Sequence, residues 1–309
     1  MGIKLYEEPK LEKPILLATW PGIGRIGIIA IDYLRKAIKA EEFGQIEPWD
    51  FFYPKKVSIR AGQLEDLKFP SSKFYFMRTD KKDLVLFIGE EQPTGGGYAN
   101  GGKAYQLANL VLDVAQKFDC QRVYTSGAAV APIHHTARPG VWAVPNTKRL
   151  IDEVKEYDNT IIMSEIEGRE GQGNISGLNG LLLGVAKRRG LDAVCLLGEI
   201  PFYLQSPVPL SRPIVYPKAS KSVLEVLSQI LEIRIDLSGL DDSAHRVEEK
   251  IEELYKQIPS QIKSGLEKLK HASRAKELGP ITKEEMKDFK EHFDEYFKGF
   301  YESGGRRFE

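Results

Sequence analysis

The sequence predicts an α/β domain with a mostly parallel sheet covered on both faces, followed by a helical extension. Two observations carry this. Up to about residue 235, short apolar runs of strand length alternate with amphipathic stretches of helical period, the order that gives strand, crossover helix and parallel strand. Beyond residue 240 the apolar runs stop and charge rises, with 30 charged residues in 241–309 against 58 in the first 240. The expected division is therefore an α/β domain over 1–240 and a charged helical extension with a flexible tail over 241–309.

The elements follow in order. Pro14 to Trp20 is apolar almost throughout and reads as a buried strand, with a helix over Ile23 to Ile38. Lys73 to Met77 and Leu84 to Ile88 are strands separated by the turn Thr79-Asp80-Lys81-Lys82. Ala104 to Phe118 is a helix with Leu107, Leu110, Val111 and Val114 on one face. Arg122 to Ser126 is a strand. Gly177 to Arg189 is a helix closed by Gly190, which suits the left-handed position after a helix end. Leu191 to Leu197 is the next strand and Ser222 to Ile233 the next helix. In the extension, Val247, Ile251, Leu254, Tyr255 and Ile258 form one helical stripe, interrupted by Pro259 and resumed by Ile262, Leu266 and Leu269. Thr282 and Glu285 form a capping box for a further helix. That helix presents Met286, Phe289, Phe293, Tyr296, Phe297 and Phe300 on one side, a stripe that needs burial within the protomer or against a partner.

Composition excludes several function classes. Lys+Arg and Asp+Glu both number 44, so no net field draws the chain to nucleic acid or an anionic membrane. The first residues are charged, unlike a signal peptide, and the apolar runs fall far short of a membrane span. Cys120 and Cys195 have no Cys-x-x-Cys or His-rich surroundings and read as reduced residues of a reducing compartment. The expected location is the cytoplasm.

Four motifs bear on chemistry. Gly22-Ile23-Gly24-Arg25-Ile26-Gly27 matches G-x-G-x-x-G between a strand and a helix, the setting of a dinucleotide fingerprint, with Glu47 at a distance suited to a ribose-binding acid. Ala40 to Ile46, where the second parallel strand would lie, is too polar for the centre of a parallel sheet. A tight turn with close helix–sheet packing is therefore the favoured reading, ahead of a small-anion or nucleotide site on the same amides. Gly97 to Ala104 resembles a phosphate-binding loop but has Ala104 where a magnesium-binding hydroxyl belongs, and reads as a glycine-rich surface loop. His134-His135 has no third ligand nearby, so no metal is expected. Glu90 and Glu199 each follow an apolar strand, where α/β sheets bind ligands. With no nucleophile in reach of them, a structural role is favoured. The candidate ligand or anion pocket is thus Gly22, Gly24, Gly27, Glu90, Gly127 and Glu199, with no catalytic residue and no cofactor expected.

Several segments together resemble the proteasome assembly chaperone family. They are Trp20 to Gly27, Ile88 to Pro93, Ser126 to Ala129, His134 to Pro139, Gly173 to Leu183, Cys195 to Pro201 and Tyr216 to Ser220, so the resemblance covers about residues 15–240. It implies a three-layer sandwich similar to nucleoside phosphorylases and related hydrolases, in oligomeric proteins that bind other proteins without established chemistry; some relatives are grouped with ATP-grasp enzymes. It also implies scaffolding of proteasome α subunits, in some relatives through a C-terminal hydrophobic-Tyr-X tail. Here the corresponding residues are Arg307, Phe308 and Glu309: the aromatic is kept, the hydroxyl is lost and Arg307 replaces the hydrophobic residue. Arg307, Phe308, Glu309, Phe293 and Phe297 are the candidate partner contacts. The expected function is a non-enzymatic assembly factor that pairs with itself and with proteasome α subunits or another large complex. The alternatives are a nucleotide- or nucleoside-binding enzyme on a phosphorylase-like fold and, more weakly, an NAD(P)-dependent oxidoreductase.

Overall fold

Every residue of β2 (Ile15–Thr19) and β7 (Leu84–Gly89) is buried, as the unbroken apolar runs require of strands covered on both faces. They lie side by side and parallel in a nine-stranded sheet. The structure is a computed structural model that describes residues 2–93, 98–165, 173–205 and 214–257. β8 (Arg122–Ala131) and β11 (Ala193–Pro201) continue the parallel centre, giving β7-β2-β8-β11. On one side the sheet extends through β6 (Ser72–Met77), β3 (Glu41–Ile46) and β1 (Ile3–Leu5), each antiparallel to its neighbour. On the other side β9 (Val141–Pro145) is antiparallel to β11, and β10 (Thr160–Ile161) is parallel to β9. The result is a mixed sheet with a parallel core.

Helices cover both faces, and the strand period of two divides the core between them. Ile15, Leu17, Leu84 and Leu86 face α1 (Ile26–Ala37), α5 (Pro217–Leu231) and α6 (Ser238–Gln257). Leu16, Ala18, Val85 and Phe87 face α2 (Tyr98–Lys117) and α4 (Gly177–Arg188). A short helix, α3 (Arg149–Lys155), packs beside β9 and β10. Three layers are formed, as expected.

Several boundaries differ from the sequence reading. α5 begins at Pro217, whose preset φ and missing N–H suit the first helical position. α2 begins at Tyr98, so Tyr98–Lys103 are helical rather than loop, and Lys103 does not sit in a strand-to-helix phosphate loop. β8 and β11 run to Ala131 and Pro201, past the predicted ends at Ser126 and Leu197. α6 starts at Ser238, packs on α5 and buries Ile251 and Tyr255, so the boundary expected at 240 falls inside a helix docked on the α/β body.

Ala40 to Ile46 does not form the second strand of a dinucleotide unit. The strand that follows α1, β3, is separated from β2 by β6 and β7, and Glu47 lies beside Gly2 instead of the glycine turn. The contiguous βαβ unit that the fingerprint needs is missing, which removes the basis for the NAD(P) reading.

Between β3 and β6, β4 (Lys56–Arg60) and β5 (Gln63–Lys68) form a separate hairpin. The sequence reading places no strand there. The aromatic stripe with Phe293 and Phe297, and the tail residues Arg307, Phe308 and Glu309, lie outside the described residues.

Candidate functional site

The predicted pocket residues gather at the C-terminal end of the parallel strands, and most are engaged in internal contacts. Gly24 has φ +63, and its carbonyl oxygen accepts the Tyr216 N–H at 2.9 Å. A Cβ there would lie 2.9 Å from Ile200 Cδ1. At Gly27 a Cβ would lie 2.3 Å from the Ser126 carbonyl oxygen and 2.7 Å from Thr19 Oγ1. The glycine pattern thus lets α1 press directly on β2 and β8. Gly22 has open space around it, and Gly127 sits within β8, paired with Leu197.

The two acids take different roles. Glu90 lies near the surface, paired with Lys55 at 3.0 Å and accepting the Ser71 N–H at 3.1 Å. Although partial burial opposes ionisation, these partners hold its carboxyl below the usual range. Glu199 does not follow a strand, as its sequence context suggested; it is buried within β11, opposite Ala129. Its two carboxylate oxygens accept the Gly140 N–H at 2.7 Å and the Trp142 Nε1–H at 3.0 Å. Burial pushes its carboxyl up, with those two donors pulling the other way. By satisfying donors of the loop before β9 and of β9 itself, Glu199 lets β11 continue through an acidic position. The acid acts as a structural bracket.

Two amides of the family segments, which sequence reasoning left without a role, tie this end together. Gln92 donates to the Pro21 carbonyl at 2.6 Å and accepts the Leu178 N–H at 3.0 Å, which joins the turn after β2 to the start of α4. Asn179 accepts the Trp20 N–H at 3.2 Å, and its backbone carbonyl accepts the Thr125 hydroxyl at 3.0 Å. Between these clamps, the buried atoms Thr19 Oγ1, Trp20 Nε1 and Ser126 Oγ have no hydrogen-bond partner. Such groups ordinarily find one, but Gly27 and Gly89 pack against Thr19 Oγ1 and Trp20 Nε1 with less room than a methyl group needs, so these orphans lie in closed packing and not in an open pocket.

A second cluster lies beyond β8, where His134 and His135 are fully buried. His135 Nδ1 pairs with Tyr203 Oη at 2.8 Å, its N–H donates to the same oxygen at 2.7 Å, and Nε2 meets Glu252 Oε1 at 2.9 Å. Tyr255 packs edge-on against both rings. Burial holds the His135 imidazole below its ordinary pKa, with Glu252 opposing. Lys218 donates to the His135 and Thr136 carbonyls at 3.0 Å and pairs with Glu248. The histidines therefore anchor α6, and among the described residues no group of three metal-ligating side chains forms. Beside this anchor, α5 and α6 border two open clefts of about 450 and 470 Å³ lined chiefly by charged residues such as Arg138, Lys221, Glu249 and Glu253. Such a lining, made mostly of charged side chains, differs from the chiefly hydrophobic and aromatic wall of a typical small-molecule pocket. Among the described residues no helix is long and apolar enough to cross a membrane.

Comparison with known proteins agrees with this architecture. The PAC2 family matches residues 16–255. An uncharacterised protein of Methanocaldococcus jannaschii is 28% identical over 258 residues, covering 82% of this chain and 87% of its own. Among solved structures, Pyrococcus furiosus PbaB, described as an archaeal proteasome activator, is 28% identical with a TM-score of 0.65, covering 82% of this chain and 98% of PbaB. Pyrococcus furiosus PbaA, an archaeal homolog of proteasome-assembly chaperone, shares the fold at 22% identity and a TM-score of 0.58, covering 88% of this chain and all of PbaA (100%). The family match takes in the whole parallel centre, both helical layers and the His135 anchor of α6, and the chain belongs to the PAC2 family.

Proposed function

We propose that this protein is a cytoplasmic, non-enzymatic assembly factor that works as a homo-oligomer and binds proteasome subunits. The observation that carries the reading is the 28% identity to PbaB over nearly all of that protein, with the fold preserved. The engagement of the two candidate acids supports it. Glu199 is buried and held by Gly140 and Trp142, and Glu90, though exposed, is paired with Lys55 and Ser71. Phe293, Phe297, Arg307, Phe308 and Glu309 remain the proposed partner contacts. The test is direct binding of the purified chain to recombinant proteasome α subunits and to intact proteasome, followed by sedimentation. A stable complex is expected, weakened by Phe308→Ala; absence of binding to either form would overturn the reading.

A further inference from the structure

The β4–β5 hairpin carries a surface that the described residues of a single copy do not cover. Its strands are joined by the two-residue turn Ala61-Gly62, with φ +50 and +78, the positive values that hairpin turns of this length require. The register pairs Val57 with Leu67 and, after a shift between Ser58 and Ile59, Ile59 with Leu64. Leu64 and Leu67 are three residues apart and would face opposite ways on a regular strand. The shift leaves Glu65 as the extra residue of a bulge, and this returns both leucines to one face. That face is Val57, Ile59, Leu64 and Leu67; the other is Lys56, Ser58, Arg60, Gln63, Asp66 and Lys68. The apolar face is open to solvent, with exposures of 52% for Val57, 71% for Ile59, 67% for Leu64 and 43% for Leu67.

An isolated two-stranded hairpin is marginal in water, and a bulge that aligns four aliphatic side chains gains nothing while they stay solvated. Each offers on the order of 100 Å² of apolar surface, together the size at which an exposed patch marks a contact surface. Trp49 and Tyr53, 63% and 93% exposed on the segment leading into β4, add aromatic surface. The four aliphatic side chains would form the apolar centre of a contact whose usual size is roughly 800 Å² per partner.

Charge placement decides how two copies meet. Edge-to-edge two-fold pairing through β4 sets Lys56 against Arg60 of the other copy, and through β5 it sets Glu65 against Asp66; like charges opposite one another repel. Edge pairing of either kind also leaves the apolar face in water. The four aliphatic residues carry no charge, and a face made of them is complementary to itself, as a two-fold contact requires.

We infer that two copies of this chain associate through the β4–β5 hairpin, the face of Val57, Ile59, Leu64 and Leu67 packing on the same face of the second copy. This rests on the homo-oligomer reading above and names its surface. The full-length chain, its Ile59→Asp/Leu64→Asp variant and a polar-face control, Gln63→Glu, whose new acid faces Arg60 across the hairpin, are compared by sedimentation over a wide concentration range. The double variant is expected to weaken self-association by at least about 100-fold, with the control unchanged and the melting temperatures of dilute protein alike. A monomeric wild-type chain would end the homo-oligomer reading and the inference together. An oligomeric wild type whose mass the double variant leaves unaltered would end only the inference. A thiol introduced by Ile59→Cys gives an independent check, because Cys120 and Cys195 are both buried. Bis-maleimide should join two copies at position 59. A thiol-to-amine reagent that instead yields only monomer-mass adducts to lysines of residues 258–309 would assign the face to the extension and overturn the inference.

Discussion

β11 and β5 lie in one chain under opposite conditions. All nine residues of β11 are buried and all six of β5 are exposed. In β11 the surroundings dictate each side chain: Val194 and Leu196 fill one core, Ala193, Cys195 and Leu197 the other, and Glu199 answers two buried donors. In β5 nothing within the described fold calls for Leu64 and Leu67, yet a bulge aligns them with Val57 and Ile59. The contrast separates residues that hold this protomer together from residues whose environment lies outside it. Substitutions around β11 should therefore act on stability, and substitutions in the hairpin on association.

The largest effect on stability is expected at Gly27, where α1 meets the parallel centre. A methyl group there meets the Ser126 carbonyl at 2.3 Å, and backbone cannot rotate out of the way as a side-chain tip can. Gly27→Ala should destabilise the protein by about 3 kcal/mol or more, read by chemical denaturation. A change under about 1 kcal/mol would show that α1 is free to lift off the sheet and would undercut the packing role given to the glycine pattern.

Next comes Glu199. Glu199→Ala strands the Gly140 N–H and the Trp142 Nε1–H in the core, each an orphan worth about 1–3 kcal/mol. Glu199→Gln keeps one acceptor and turns an amide donor towards the other N–H, so its loss should fall between the wild type and Ala. This graded order, measured by denaturant melts, with the proposed proteasome binding unchanged once folded, fits a bracket. Binding or activity lost in Glu199→Gln at full stability would make the carboxylate functional instead.

How much of this was legible depends on where each residue's environment originates. The apolar runs of β2 and β7 announce their own burial, and the mismatch at Ala40 to Ile46 correctly kept that polar segment out of the parallel centre. The tight helix–sheet contact at Gly27 was readable from the glycine spacing after a strand. Glu199 was placed at a strand end because an acid usually stops a buried strand. The donors that permit it, Gly140 and Trp142, are 59 and 57 residues away along the chain, and no local pattern records them. The His135 anchor was hidden in the same way, its partners Tyr203 and Glu252 being 68 and 117 residues distant. In the hairpin, the bulge breaks the alternation by which strands are recognised.

The His135 anchor gives a smaller effect with a defined sign. Its imidazole titrates below the ordinary value in the folded protein, so folding favours the neutral form. The unfolded chain then takes up the proton first as pH falls. The stability this site contributes is complete above the unfolded pKa near 6.5 and is lost as pH drops towards the folded value. Melting curves from neutral to mildly acidic pH should fall more steeply for the wild type than for His135→Gln, which removes the titration. Parallel curves would mean that the proton on His135 is not coupled to folding.

The smallest effect on stability is expected in the hairpin, and there a null result is informative. Leu64→Gln exchanges an exposed side chain for a polar one of similar size at a site 67% open to solvent, so the melting temperature of dilute protein should move by no more than about 0.5 kcal/mol allows. The same substitution at high concentration should lower the melting temperature, because association adds stability in proportion to the logarithm of concentration over the dissociation constant. The comparison between β11 and β5 therefore becomes a difference in concentration dependence. Glu199→Ala should lower the melting temperature of dilute and concentrated protein alike, and Leu64→Gln only that of concentrated protein. If Leu64→Gln destabilised the dilute chain, the hairpin face would belong to the fold of one protomer, and the division between the two strands would not hold.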